Sequence, residues 1–497
     1  MPLSSGSSAK PLAPLYREVP YQDPFEVFRK LHSGPGVLFE SLKGPDHISR
    51  YSFIGIDPYL TFVVKNGQVE IDCMGKRTIS QRKPLQRLRE LLAAYPQTAV
   101  NGLPPFQGGA AGMLSYDFVR YLEELPDAAI DDLNVPDAHF FLFDRVIAFD
   151  HKQEKCWVIV CPGARGTMLG FTETGAGEGA SLRDAEKHLS LLADAVAGRV
   201  PAYAATRPAG GASDIIAQTS KNEYMRMVTE AKEYIAAGDI FQANLSLRIS
   251  ADIGDTLPVD IYRILREVNP SPFAAFIDFG GYAIVSSSPE RLVRVTGRCI
   301  DTRPIAGTRP RGRDMAEDEV MSAELLLNEK ERAEHIMLID LERNDLGKVS
   351  DYGSVAVDEL MITEQYSHVI HIVSNVKGRL AEGKDCFDVI RAAFPGGTIT
   401  GVPKVRCMEI IEELEGRRRG PYTGSLGYIG YNGNMDLNII IRTFLVKDRK
   451  AYVQAGAGIV ADSDPEREYH ESLKKAEALL RSLEMLKERG QRPPVST

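Results

Sequence analysis

The order of strand-like and helix-like segments constrains this chain most. From about residue 18 to 160 the pattern is mostly strand-like, with runs such as Tyr51-Ser52-Phe53-Ile54-Gly55 and Phe140-Phe141-Leu142-Phe143. After residue 218 the grammar changes. Lys221–Ala237 reads as an amphipathic helix and Gln242–Ser250 alternates like a strand. Ala274–Asp278, Tyr282–Ser287 and Leu292–Thr296 read as a strand meander, and a long helix is expected over about Ala316–Asp340. Further strands are expected at 353–359, 368–376, 425–431, 437–446 and 451–455. Hairpins mixed with helices, without strict strand–helix alternation, predict an α+β fold rather than a doubly wound sheet. We divide the chain into residues 15–160, a variable excursion or linker over 161–218, and a region over 219–485.

A hydrophobic content of 43% is ample for a large core. The net charge of −9 argues against nucleic acid or an anionic membrane as a partner. No stretch approaches the roughly 18 apolar residues of a spanning helix, and the small, polar residues 1–12 do not read as a secretory signal. The six cysteines form no CxxC pair, which fits a reducing cytoplasm.

The run Gln454–Glu471 reads as a strand, a glycine-rich turn holding Gly456 and Gly458, and a helix whose first turn accepts Pro465. Glu468 and Glu471 are three apart and share a helical face. Carboxylates beside bare amides can hold a hard cation together with an anionic substrate; a solvated acidic helix has the same pattern. Glu334 is placed toward the core by periodicity, where a carboxylate requires a cation or an arginine. Phe394–Lys404 is glycine-rich and leads into a helix N-terminus, suited to a small anion or to a structural turn. Arg442 lies in the apolar run Leu437–Leu445, where a carboxylate ligand or an ion pair would account for it. His368 and His371 fall on opposite faces of one strand, and Glu290 follows Ser288-Pro289 at a strand end, a position open to a general acid.

Together these motifs resemble the chorismate-utilising enzymes, the family of anthranilate synthase and aminodeoxychorismate synthase large subunits. The pieces are Gly238–Ser246, Ser288-Pro289-Glu290, Pro304–Arg309, Lys330–Asp345, Gly396–Lys404, Ile441-Arg442-Thr443 and Gly456–Glu471, in order over about 220–480. A looser match over about 15–150 includes Leu38-Phe39-Glu40-Ser41 and Arg50–Gly55.

The resemblance implies two packed, mostly antiparallel sheets surrounded by helices, with the N-terminal strands completing the same body. It implies Mg²⁺ on Glu334 and Glu471 with Glu468 beside them, bridging to the ring carboxylate of chorismate. Arg442, Tyr428 and the amides near Gly456 and Gly458 would bind the enolpyruvyl carboxylate. Glu290 would assist loss of the C4 hydroxyl, with His371 and Thr398 near the ring. Gln242 stands where water-using relatives carry a lysine base, which points to ammonia supplied by a separate glutamine amidotransferase subunit and away from isochorismate or salicylate synthases.

The motifs lean toward the enzymes that make aminodeoxychorismate, the para-aminobenzoate and folate precursor. Anthranilate, for tryptophan biosynthesis, is the alternative product. Ala306 stands where many aminodeoxychorismate synthases carry a nucleophilic lysine, so covalent catalysis through residue 306 is excluded. The Leu38–Ser41 segment, Ser41 in particular, raises a tryptophan pocket. A non-catalytic regulatory subunit is the alternative of another class; the joint presence of Glu290, Glu334, Glu471 and Arg442 weighs against it.

Overall fold

A computed structural model describes residues 12–45, 48–168, 178–198, 215–365 and 369–491. His368 and residues 201–214 of the expected linker lie outside them. The architecture is α+β, built on two twelve-stranded sheets whose ladders are antiparallel.

In the first sheet, Gly36–Glu40 pairs with Phe273–Asp278, then come Ala283–Ser288, Thr443–Lys447, Lys450–Ile459 and Gln242–Asp252. In the second, Ile305–Pro310 and Val369–Arg379 lead through Arg291–Thr296, Met435–Asn438 and Ser425–Gly430 to Gly109–Leu114. Residues 15–160 therefore contribute strands to both sheets, each joined to strands from beyond residue 270.

The sheets face each other across an aromatic layer that includes Phe39, Phe53, Phe106, Phe141, Phe143 and Tyr428. Helices cover the outer faces. Pro24–Leu31, Pro258–Val268 and Pro465–Gln491 pack on the first sheet through Phe25, Ile261 and Leu479. Pro84–Ala93 and Cys386–Ala393 pack on the second through Leu88 and Val389. The helices that begin with proline place it where no intrahelical N–H is lost.

Three sequence expectations are corrected. The long helix is two, Met315–Leu327 and Glu329–Gly347, because Asn328 is extended (φ −70°, ψ 111°) and its side chain caps Glu331 N–H. The strand expected over 437–446 is also two, Met435–Asn438 and Thr443–Lys447, in different sheets. The glycine run after Gln454 is no turn: the strand continues to Ile459, with Gly456 opposite Ser246 and Gly458 opposite Asn244. These glycines permit close approach. A Cβ on Gly456 would lie 2.3 Å from the Leu245 carbonyl oxygen.

Candidate active site

Two of the places where the chain crosses between the sheets lie side by side. It leaves the first sheet at Ser288 and enters the second at Arg291; it returns between Asn438 and Thr443. The crossings are tied together at and just beyond the end of the strand Ala283–Ser288. Ser288 Oγ donates to the Ile439 carbonyl (2.6 Å), Ile439 N–H to the Glu290 carbonyl (3.0 Å), and Ser287 N–H to the Arg442 carbonyl (3.1 Å). One crossing carries Glu290 and the other Arg442.

Arg442 holds φ +50°, a left-handed conformation uncommon outside glycine that persists where surrounding contacts over-determine it. Glu290 is buried, and burial pushes its carboxyl up to about 7. The Thr398 hydroxyl, the Ile305 N–H, and the Arg442 and Lys475 cations pull the other way. Even so, the Thr398 hydroxyl falls short of hydrogen-bond geometry: Thr398 Oγ1 and Glu290 Oε1 are both buried without a hydrogen-bond partner. Near neutral pH Glu290 is thus poised to give up a proton. Burial lowers the pKa of Arg442, and Glu290 opposes this.

His371 faces this group from the strand Val369–Arg379. Its Nδ1 lies 3.1 Å from the Gly307 carbonyl and 3.0 Å from Thr308 Oγ1. Burial first, then Arg442, lowers its pKa to about 4, so the ring is neutral and Nδ1 carries the proton donated to Gly307. The carbonyl is turned toward the ring by a bulge between Ala306 and Thr308, where Gly307 takes φ +64°. Ala306 pairs with Ile372 on this bulge and offers only a methyl group.

Gln242 opens the strand Gln242–Asp252, and its Oε1 is buried without a hydrogen-bond partner. Its amide rests on Gly458, where a Cβ would lie 2.2 Å from Gln242 Nε2.

Two further charged groups, which the sequence expectations do not include, act on this site. Lys475 is one turn beyond Glu471 on the helix Pro465–Gln491; its Nζ donates to the Gly456 carbonyl (3.1 Å) and pairs with Glu471 (2.9 Å). Its charge reaches both Glu290 and His371. Glu342 is buried and held up at about 8 by burial and by Asp345, with Glu290 adding to the effect. Asp345 in turn pairs with Lys404 (2.5 Å).

Glu334 and Glu468 are half-buried, and Glu471 is exposed beside Lys475. Among the described residues, no group of three or more His, Cys, Asp or Glu side chains is arranged to hold a metal. The donor type nonetheless suits magnesium, which binds one or two carboxylates and takes its remaining ligands from water and substrate.

Tyr428 is placed elsewhere. Its ring stacks on Phe106 (centroids 4.7 Å apart) and lines a cavity of about 830 Å³ together with Ser41, Arg50, Arg294 and Asp436. Ser41 Oγ donates to the Pro272 carbonyl at the wall of that cavity (3.0 Å).

Comparison with known proteins places this geometry in context. Residues 34–481 match the family described as chorismate binding enzyme. The chain is 44% identical to aminodeoxychorismate synthase component 1 of Bacillus subtilis, over 96% of this chain and 98% of that one. It is 46% identical to anthranilate synthase component 1 of Thermus thermophilus, over 88% and 90%. The crystal structure of anthranilate synthase component I from Streptococcus pneumoniae superposes with a TM-score of 0.76 at 36% identity, covering 86% of this chain and 92% of that one.

Proposed function

This chain belongs to the chorismate binding enzymes, and we propose that it aminates chorismate at C4, giving 4-amino-4-deoxychorismate as component 1 of an aminodeoxychorismate synthase. The observation that carries the chemistry is Glu290, a buried carboxylic acid with a pKa of about 7 beside the Arg442 cation. Arg442 presents a planar fork to a substrate carboxylate. Glu290 in its acid form protonates the C4 oxygen, which leaves as water, while ammonia supplies the new C–N bond and returns a proton to the Glu290 carboxylate. His371, neutral and locked by Gly307, lies against the ring. With a methyl at Ala306, no enzyme adduct forms there. The near full-length match to the Bacillus subtilis enzyme supports this product.

Anthranilate is the second reading, favoured by Ala306 and by the Thermus thermophilus relative. There ammonia adds at C2, water leaves from C4, and pyruvate is then eliminated. Purified protein supplied with chorismate, Mg²⁺ and an ammonium salt distinguishes the two. The expected product yields para-aminobenzoate only after a lyase is added; anthranilate fluorescence without a lyase overturns the assignment. The same assay with tryptophan present tests whether the cavity at Ser41 is a tryptophan pocket, for which slower turnover is expected.

Ammonia would come from a glutamine amidotransferase subunit in the cytoplasm, consistent with the component 1 names of the relatives. Glu334 and Glu471, with Glu468 in support, would hold Mg²⁺ and supply a positive charge for the ring carboxylate. Glu334→Gln is then expected to lower turnover by about 100-fold or more, since a metal Lewis acid is worth several kcal/mol. Unchanged turnover over a magnesium titration would remove these residues from the metal site.

A further inference from the structure

The strand Gln242–Asp252 has a gap along one edge. Its first residues pair with Gly401–Val402 and its last with Ile216–Ala217, so among the described residues no strand neighbours residues 244–247 on that side. Buried backbone groups must find partners, and here side chains provide them. Arg419 Nη2 donates to the Asn244 carbonyl (2.6 Å). Glu415 accepts from Ser246 N–H (2.9 Å) and Ser246 Oγ (2.7 Å).

Arg419 is 2% exposed, and all five of its donors are used. Nη1 reaches the Ile399 carbonyl (3.0 Å) and Thr423 Oγ1 (3.2 Å). Nε and Nη2 clasp Glu415 at 3.0 and 2.7 Å. The Tyr116 and Tyr422 rings flank the guanidinium at 4.9 and 5.6 Å.

A buried ion pair adds little stability over apolar packing of the same volume, so stability is a weak reason for one here. What this pair joins is more informative. Asn244 follows Gln242 by two residues, and Ile399 follows Thr398 directly. Gln242 Oε1, Asn244 Oδ1, Thr398 Oγ1 and Glu290 Oε1 are all buried without hydrogen-bond partners, a pattern that a polar ligand would satisfy.

We propose that Arg419, braced by Glu415, is a positioning residue for the reaction: it fixes the distance between the Gln242–Asn244 wall of the site and the Thr398 turn. The role rests on the reading of this site as the one that turns over chorismate. Lysine cannot replace the fork, because it offers three donors from a single atom.

Arg419→Lys is the test, with kcat, KM for chorismate and Tm measured together. A misplacement of about 1 Å can cost about 100-fold in rate, so kcat should fall by roughly 30- to 100-fold while KM stays within about threefold. A merely structural residue would lower Tm and leave kcat per folded molecule unchanged, and that result overturns the proposal. Should Arg419→Lys be insoluble, Ser246→Ala decides: it removes the hydroxyl that donates to Glu415 and accepts from Gln454 Nε2, and no charge. A several-fold loss of kcat at wild-type Tm supports the positioning role, and wild-type kcat refutes it. A wild-type enzyme inert toward chorismate would sink the functional reading and this inference with it, whereas an active wild type with an undiminished Arg419→Lys variant overturns the positioning role alone.

Discussion

Glu290→Gln should lower kcat by about 100- to 10,000-fold, the range a positioned general acid contributes, with KM for chorismate little changed. The wild-type pH profile supplies the sign. Burial raises the Glu290 carboxyl from an ordinary 4.5 to about 7, so the proton-donating form is present below that pH and is lost above it. The kcat/KM of the wild type should therefore decline as pH rises through about 7, and the glutamine variant should lack that limb. Stability follows the same proton. A group whose folded-state pKa is raised contributes stability that is full below its unfolded value and lost as pH rises through the folded value. The glutamine variant should accordingly gain in Tm relative to wild type as pH rises from about 4.5 to about 7, and the two curves should run parallel above that. A variant within tenfold of wild-type kcat would remove Glu290 from the chemistry.

Arg442→Gly should produce a larger loss of substrate affinity and, unusually, no loss of fold. Removing one partner of a buried charge pair costs about 2–5 kcal/mol, or roughly 30- to 3,000-fold in kcat/KM. The φ of +50° is one glycine adopts freely, and a strained non-glycine backbone of this kind stores about 1–3 kcal/mol. Tm should therefore hold or rise while activity falls. Arg442→Lys keeps the charge but not the planar fork and should fall between the two. The Arg442 cation lowers the Glu290 pKa, so its loss should also move the alkaline limb of the pH profile upward. A drop in Tm with unchanged KM would mean that Arg442 serves the fold rather than the substrate.

The α+β class was legible because strand alternation and helical periodicity are local signals. Glu290 and Arg442 could be nominated because each is a charged group at a strand end or in an apolar run; the family resemblance places His371 and Thr398 near the ring. What brings them together was not legible. The run Leu437–Leu445 reads as one strand because nothing in its side chains marks a change of sheet, yet Arg442 owes its place to that change. Tyr428, assigned by resemblance to the Arg442 clamp, lies in a strand buried along its whole length, where hydrophobic pattern carries no facing information. Lys475 had a usable signal, the four-residue spacing from Glu471 that pairs opposite charges along a helix. Arg419 had none: among three consecutive arginines, Arg417–Arg419, only the third is fully buried, and only tertiary structure tells them apart.

The interleaving of distant strands also bears on how the protein is made. Gly36–Glu40 pairs locally with Tyr51–Ile56 on one edge, but its other edge stays open until Phe273–Asp278 exists; Gly109–Leu114 pairs with Ala138–Phe143 and waits on its other edge for Ser425–Gly430. An emerging N-terminal segment therefore carries open, apolar strand edges through most of its synthesis. Non-local pairing of this kind is slow, and exposed edges aggregate while it is awaited. Neither sheet can be completed until the strand Ser425–Gly430, within the last hundred residues, has been translated.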